Sequence, residues 1–260
     1  MALGTVGLLH PGEMGAAVGA ELVRSGATVL WASDGRSEAT GARAEAAGLE
    51  DVGTVDELAR ASEVILSICP PHATLDVARS VAGFEGLYVD ANAVAPATVR
   101  AISGLRCVDG GIVGAPPRPP ATTHLYLSGD DAHVVAELFD GTRVISRVVS
   151  GDVGAASALK LAYAAWTKGT AALLLAIDTF ARTQGVGAAL LEEWRESLPQ
   201  LPDALARAER SAAAKGWRWV GEMEEIAAAF AADDLPGGFH EAAADVFRAW
   251  TPEWQRGVPS

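Results

Sequence analysis

No stretch of about 18 apolar residues runs uninterrupted anywhere in the chain, so no segment suits a helical membrane span, although 50% of the residues are hydrophobic. Met1 to Thr5 carries no cation ahead of its short apolar run, so a secretory leader is not expected. Cysteine is scarce. The two present, Cys69 and Cys107, lie in apolar or strand-like stretches without metal-ligand spacing, which argues against a disulfide framework and against a metal site. Positive charge is also short: 20 Lys and Arg against 33 Asp and Glu leave a formal net charge of −13. Such a surface repels phosphate backbones and anionic lipid, so neither nucleic acid nor membrane is an expected partner. A reduced, cytoplasmic protein acting on a small molecule is the expectation.

What the chain does have is alternation. Short β-rich runs are expected at Leu3 to Leu9, Thr28 to Ala32, Val64 to Ile68, Leu87 to Asp90, Arg106 to Asp109 and His124 to Ser128. Helical patterns at Glu13 to Ser25, Thr54 to Ala61 and Thr74 to Ala82 separate them. This order predicts an α/β fold with a doubly wound, largely parallel sheet. After about Gly151 the strand signal stops. Ala155 to Gln184 reads as one long helix, with further helices expected around 188–198, 202–215, 218–232 and 238–250. The division predicted is a cofactor-binding domain over 1–152 and an all-helical domain over 153–260. Trp166, Trp194, Trp217, Trp219, Trp250 and Trp254 all fall in the helical half, where core packing or a subunit interface accounts for them. A homodimer built from that half is expected, because an Ala- and Leu-rich helix of about 30 residues exceeds what a hundred-residue domain covers.

The segment Gly7-Leu8-Leu9-His10-Pro11-Gly12-Glu13-Met14-Gly15 follows an apolar strand and opens a helix, where a dinucleotide fold turns toward the pyrophosphate. Gly12 admits the phosphates to the backbone, and Gly15 lets helix and strand pack closely. His10 occupies the place of the first glycine, and Pro11 stiffens the turn. An anionic cofactor in so acidic a protein needs backbone amides or a placed Arg. After the second strand comes Ser33-Asp34-Gly35-Arg36-Ser37. The usual acidic position carries Ser33, with Arg36 and Ser37 just beyond, which points to the 2′-phosphate of NADP(H). Asp34 is the alternative, taking the ribose diol of NAD(H).

These residues, with four later segments, resemble the β-hydroxyacid dehydrogenase and 6-phosphogluconate dehydrogenase superfamily. Val6 to Gly15 is similar to the family's GFIGLGxMG opening. Ser67-Ile68-Cys69-Pro70-Pro71 resembles its fourth-strand cofactor loop, and Tyr88 to Pro96 its VDxSTxxP segment. Val108 to Gly114 sits where the family has DAPVSGG, and Gly151-Asp152-Val153-Gly154 with Lys160 matches GxxGxxxxxK. The likeness is strongest to the divergent branch labelled "6-phosphogluconate dehydrogenase, NAD-binding", with its own C-terminal domain and with the imine reductases as relatives. It implies a Rossmann domain followed by a helical domain that pairs with a second subunit. It also implies cofactor contacts at Cys69, Pro70, Pro71, Asn92 and Lys215, the last in place of the family's KDL lysine, and substrate contacts at Gly111, Ile112 and Val113. Glu222 and Met223 are further substrate candidates. Three positions depart from the pattern. Val113 and Asn92 replace serines, and Ala164 replaces an asparagine, so the cradle for a substrate carboxylate is partly dismantled.

Lys160 interrupts an otherwise apolar helix at the family's catalytic position. A partly desolvated lysine has a lowered pKa and can pass a proton to the atom that receives hydride. Tyr163 and Thr167 lie within roughly 60° of it around the helix and are placed to supply the missing asparagine's hydrogen bonds. The structural alternative is a lysine that snorkels to water. The implied activity is an NADP(H)-dependent oxidoreductase acting on a hydroxy acid or carbonyl. Reduction of C=N bonds and a catalytically inactive cofactor-binding regulator are the alternatives. His240 reads as a cap or surface histidine.

Overall fold

The computed structural model describes residues 4–250. The expected strand start at Leu3 and the interface candidate Trp254 lie outside them. The chain divides into two compact units, Met1–Lys160 and Leu161–Ser260.

The first unit is built on eight strands: β1 (Thr5–Leu9), β2 (Thr28–Trp31), β3 (Glu50–Asp51), β4 (Val64–Ser67), β5 (Leu87–Asp90), β6 (Arg106–Val113), β7 (Thr123–Ser128) and β8 (Val144–Val148). They form one sheet in the order β3-β2-β1-β4-β5-β6-β7-β8. Every neighbouring pair is parallel except β6 with β7. The connecting helices are α1 (Glu13–Arg24), α2 (Glu38–Ala46), α3 (Val55–Ala61), α4 (Thr74–Ser80), α5 (Pro96–Arg100) and α6 (Ala132–Glu137).

The central strands are apolar on both sides because helices cover both faces. Val6, Leu8, Leu66 and Val89 join one core cluster, while Leu9, Ile65 and Tyr88 join the other. The strand order reverses between β1 and β4. In an open α/β sheet the crevice beyond the carboxyl ends at such a reversal is the ligand site.

The last helix to begin in this unit is α7 (Ala155–Thr183), whose start is held by one buried carboxylate. Asp109, at the end of the parallel part of β6, accepts from the Gly154 and Ser157 backbone amides, each at 2.9 Å. It also accepts from Ser157 Oγ at 2.5 Å and Ser128 Oγ at 3.0 Å. It thus does from another strand what a local N-cap side chain does, satisfying amides that a helix leaves open at its start. Gly111, two residues on, allows the approach. A Cβ there would lie 2.7 Å from the Ala156 carbonyl oxygen and 3.0 Å from Lys160 Cβ.

The second unit comprises the rest of α7 with α8 (Gly187–Ser197), α9 (Leu201–Ala232) and α10 (Gly238–Ala249). Two helices were expected over 202–215 and 218–232, and the structure has one. A glycine inside a helix costs about 1 kcal/mol, but Gly216 is buried, and the flanking turns carry Ala212 and the Trp219 ring that packs edge-on to Phe247 of α10 at 5.0 Å. His240 is not on the surface. It is 8% exposed and meets the Phe230 ring edge-on at 4.5 Å, because α10 lies along α9. Trp194 is buried, whereas Trp166 and Trp217 remain more than two-thirds exposed. Among the described residues, no helix is long and apolar enough to cross a membrane, and no acidic, His or Cys cluster is placed to hold a metal.

Candidate active site

At the reversal between β1 and β4 the chain turns through His10-Pro11-Gly12. His10 takes φ +68°, a left-handed conformation that favours glycine and that histidine enters at a cost of roughly 1 kcal/mol or more. The missing first glycine is therefore a conformational requirement met by another residue. The Gly12 amide closes the turn on the His10 carbonyl at 2.7 Å. A Cβ at Gly15 would come within 2.8 Å of that same carbonyl oxygen, so the third glycine position tolerates no side chain. Gly12 begins α1 without any side-chain cap, leaving first-turn amides open toward an anion. Met14 packs against the core, Pro11 is buried and Glu13 is exposed.

Beyond β2, Arg36 is partly buried and its Nε has no hydrogen-bond partner; the same holds for His10 Nδ1. The two approach one another. Burial, helped by the Arg36 charge and opposed by a bond to Leu9, holds the His10 imidazole down to about 4. Ser33 closes the intervening turn by accepting from the Arg36 amide at 3.0 Å, and Ser37 caps α2 by accepting from the Thr40 amide at 3.3 Å. Arg43, which the sequence did not single out, donates from α2 to the Pro11 carbonyl at 3.3 Å. Its signal was a cation two turns into a helix that no sequence pattern had predicted. The structure therefore brings His10, Pro11, Gly12, Arg36 and Arg43 together.

The second cluster joins the tips of β4 and β5. Asn92 Oδ1 accepts from the Cys69 amide at 2.6 Å, and its Nδ2 donates to Ser67 Oγ at 3.1 Å and to Asp90 Oδ2 at 2.8 Å. Pro70 and Pro71 follow, with Pro71 opening a 3₁₀ turn over Pro71–Ala73. Asp90 is fully buried. Burial pushes its carboxyl up to about 7, against the Asn92 hydrogen bonds and with some help from Asp109. Burial likewise raises the Cys69 thiol.

The third component is the capped start of α7. Asp109 pairs in register with Asp90, the last residue of β5, so Gly111 and the Lys160 that packs beside it lie past the carboxyl edge of β5. Lys160 is half-buried and, among the described residues, its ammonium has no hydrogen-bond or ion-pair partner. Desolvation lowers its pKa below the ordinary lysine value. Of the neighbouring substrate candidates, Ile112 is half-buried and Val113 buried. Farther along α7, Tyr163 is half exposed, and the Thr167 hydroxyl donates to the Tyr163 carbonyl at 2.9 Å.

In the helical unit, Lys215 is exposed on α9 and Met223 is fully buried in that unit's core. Glu222 forms an ion pair with Lys168, in mid-helix rather than near a helix start. Lys160, Lys168 and Lys215 are the chain's only lysines.

Two titrating groups, the partly buried His10 and the buried Asp90, act oppositely on stability. His10 resists protonation below its usual 6.5 down to about 4; the stability it contributes is complete above 6.5 and lost as pH falls. Asp90 resists ionisation from 3.8 up to about 7; its contribution is complete below 3.8 and lost as pH rises. The slopes oppose between about pH 4 and 6.5. His10→Gln is expected to melt at lower temperature as pH rises through that window, and Asp90→Asn at higher temperature. Parallel melting profiles for both variants and the native protein contradict this.

A family described as a domain of unknown function (DUF1932) matches residues 181–250. A curated relative, the uncharacterized 28.5 kDa protein in the 7S RNA 5′ region of Methanothermus fervidus, is 31% identical over 168 residues, which are 63% of this chain. The match covers 65% of that relative, less than two-thirds of its length. Among solved structures, the conserved protein MTH1747, of unknown function and described as structurally similar to 3-hydroxyacid dehydrogenases, aligns with a TM-score of 0.75 and 24% identity over 98% of this chain and all of its own. The 3-hydroxyisobutyrate dehydrogenase of Mycobacterium tuberculosis, solved with L-serine, aligns at 0.72 and 16% identity over 98% of this chain and 95% of its own. The reductive aminase from Aspergillus terreus, solved with NADPH and ethyl levulinate, aligns at 0.59 and 19% identity with the same coverages. The chain shares the fold of these structures, a mostly parallel Rossmann sheet followed by a helical C-terminal region.

Proposed function

We propose that the chain is an NADP(H)-dependent oxidoreductase acting on a small hydroxy acid or carbonyl substrate, with Lys160 as its proton relay. The observation that carries this reading is the placement of Lys160: desolvated, unpartnered and fixed by the capped start of α7 past the carboxyl edge of β5. The residues around the sheet reversal fit a dinucleotide. Open amides at the start of α1 suit the pyrophosphate. The unpartnered Arg36 Nε suits a 2′-phosphate, which a carboxylate at that position would repel. When bound, the nicotinamide supplies or accepts the hydride. The protein's part is to hold it and to move a proton at the substrate oxygen. A desolvated lysine gives up its proton more readily than one in water, bringing its pKa closer to the working pH. The dehydrogenase and NADPH-bound aminase among the similar structures support this reading.

We propose further that 1–152 serves the cofactor, and that 153–260 serves the substrate and a homodimer interface. Exposed Trp166, Phe180, Trp217 and Phe239 support a covered helical face. A monomer in sedimentation at micromolar concentration contradicts the dimer.

Two measurements test the site. Arg36→Ala is expected to reduce the preference for NADPH over NADH by about 10- to 100-fold, the value of one charge-assisted contact. Titration of both cofactors checks it; unchanged preference, or tighter NADH binding by the native protein, overturns the assignment. Lys160→Met is expected to lower kcat by about 10²–10⁴ with cofactor Kd nearly unchanged, tested over keto acids, aldehydes and cyclic imines. If Lys160 merely snorkels, the variant loses melting temperature rather than turnover. Full activity on cyclic imines assigns the proton to Tyr163 or solvent and the enzyme to C=N reduction.

A further inference from the structure

The loop after β4 has an unusual shortage of donors. Pro70 and Pro71 carry no amide hydrogen, so Cys69 supplies the one backbone N–H between Ile68 and His72. That N–H goes to Asn92 Oδ1 at 2.6 Å. A carboxamide presents acceptor and donor on opposite sides of one plane, and a flipped Asn92 would turn NH₂ against the Cys69 N–H. What decides the orientation is Asp90, which in its ionised form only accepts. Its Oδ2 takes Nδ2 at 2.8 Å and its Oδ1 takes the Asn92 backbone N–H at 3.2 Å. Ser67 Oγ takes the other Nδ2 hydrogen at 3.1 Å. A serine at position 92 has a single hydroxyl and could not bridge both sides. Asn92 thus answers the double proline, and Asp90 answers Asn92.

We propose that Asp90 is a positioning residue for the cofactor: by fixing the Asn92 amide it holds the Cys69-Pro70-Pro71 loop in the shape that receives the nicotinamide half. This rests on the NADP(H) reading above and adds a residue that acts on the loop through another. A buried carboxylate is a costly device, and an apolar side chain would serve stability better. The groups facing Asp90 include Asp109 and Cys107 on β6, Tyr88 on β5 and Cys69 on the loop. None is a cation. Its compensation comes from Asn92, whose hydrogen bonds favour the ionised form.

The test compares Asp90→Asn and Asn92→Ala with the native protein by two readouts: amide hydrogen exchange at Cys69 without cofactor, and NADPH affinity by fluorescence. Asp90→Asn keeps the size but sets an NH₂ against an Asn92 donor. Both variants are expected to exchange Cys69 about tenfold faster or more and to bind NADPH about tenfold more weakly, the loss of one hydrogen bond's worth of order. Native Cys69 protection, corrected for base catalysis, is expected to change with pH near 7, and Asp90→Asn to lose that dependence. Unchanged Cys69 exchange in Asp90→Asn overturns the proposal and leaves the cofactor reading intact. Faster exchange with unaltered NADPH affinity overturns the link between loop and cofactor. Failure of the native protein to bind either NADPH or NADH overturns the cofactor reading and this proposal with it, while exchange still reports the Asp90 lock.

Discussion

Asp109 is the interaction on which the site depends. A carboxylate buried at the end of the parallel part of β6 takes four hydrogen bonds, two of them from backbone amides at the start of α7. Removing such an acceptor strands buried donors at about 1–3 kcal/mol each. The consequence is geometric as well as energetic. A 29-residue helix pinned at its first turn has little freedom there, and Gly111 lets that turn sit directly on the strand. Lys160 follows less than two turns later, so its position is inherited from the sheet.

The same logic runs along the carboxyl edge. His10 holds a left-handed turn that a glycine would adopt freely, and Asn92 holds a loop that has given up two donors to proline. Two departures from the resembled pattern, His10 and Asn92, have a structural answer close by. Arg36 and Arg43 approach the His10 turn from beyond β2, and Asp90 locks Asn92. In a protein of net charge −13, this puts two cations and open amides where an anion would bind, and keeps Asp90 and Asp109 hydrogen-bonded.

Much of this was legible from local pattern. Buried parallel strands read as apolar runs, so β1, β2, β4 and β5 lie within a residue or two of expectation, with the Leu3 start undescribed. The glycine turn and Lys160 stood out because each interrupts a regular context. Partners distant in sequence did not. Nothing local marks Asp109 as the cap of a helix 45 residues away, or Asp90 as the lock on an amide; both appear as acids ending apolar strands. The exposed β8 carries a weak alternation, and the short α2 has little apolar face, so both escaped notice. Gly216 read as a break because the cost of a helical glycine is visible in sequence, whereas the packing of α10 that offsets it is not.

With three lysines in the chain, selective ¹³Cε labelling gives a direct view of the residue the account turns on. Titration of the Lys160 resonance, assigned by Lys160→Met, is predicted to show a midpoint below the ordinary lysine value of about 10.4. It is predicted to return toward that value in Gly111→Val, where the added side chain forces the first turn of α7 off the strand. A Lys160 midpoint at the ordinary lysine value in the native protein would contradict the claim that the sheet holds it desolvated at the site.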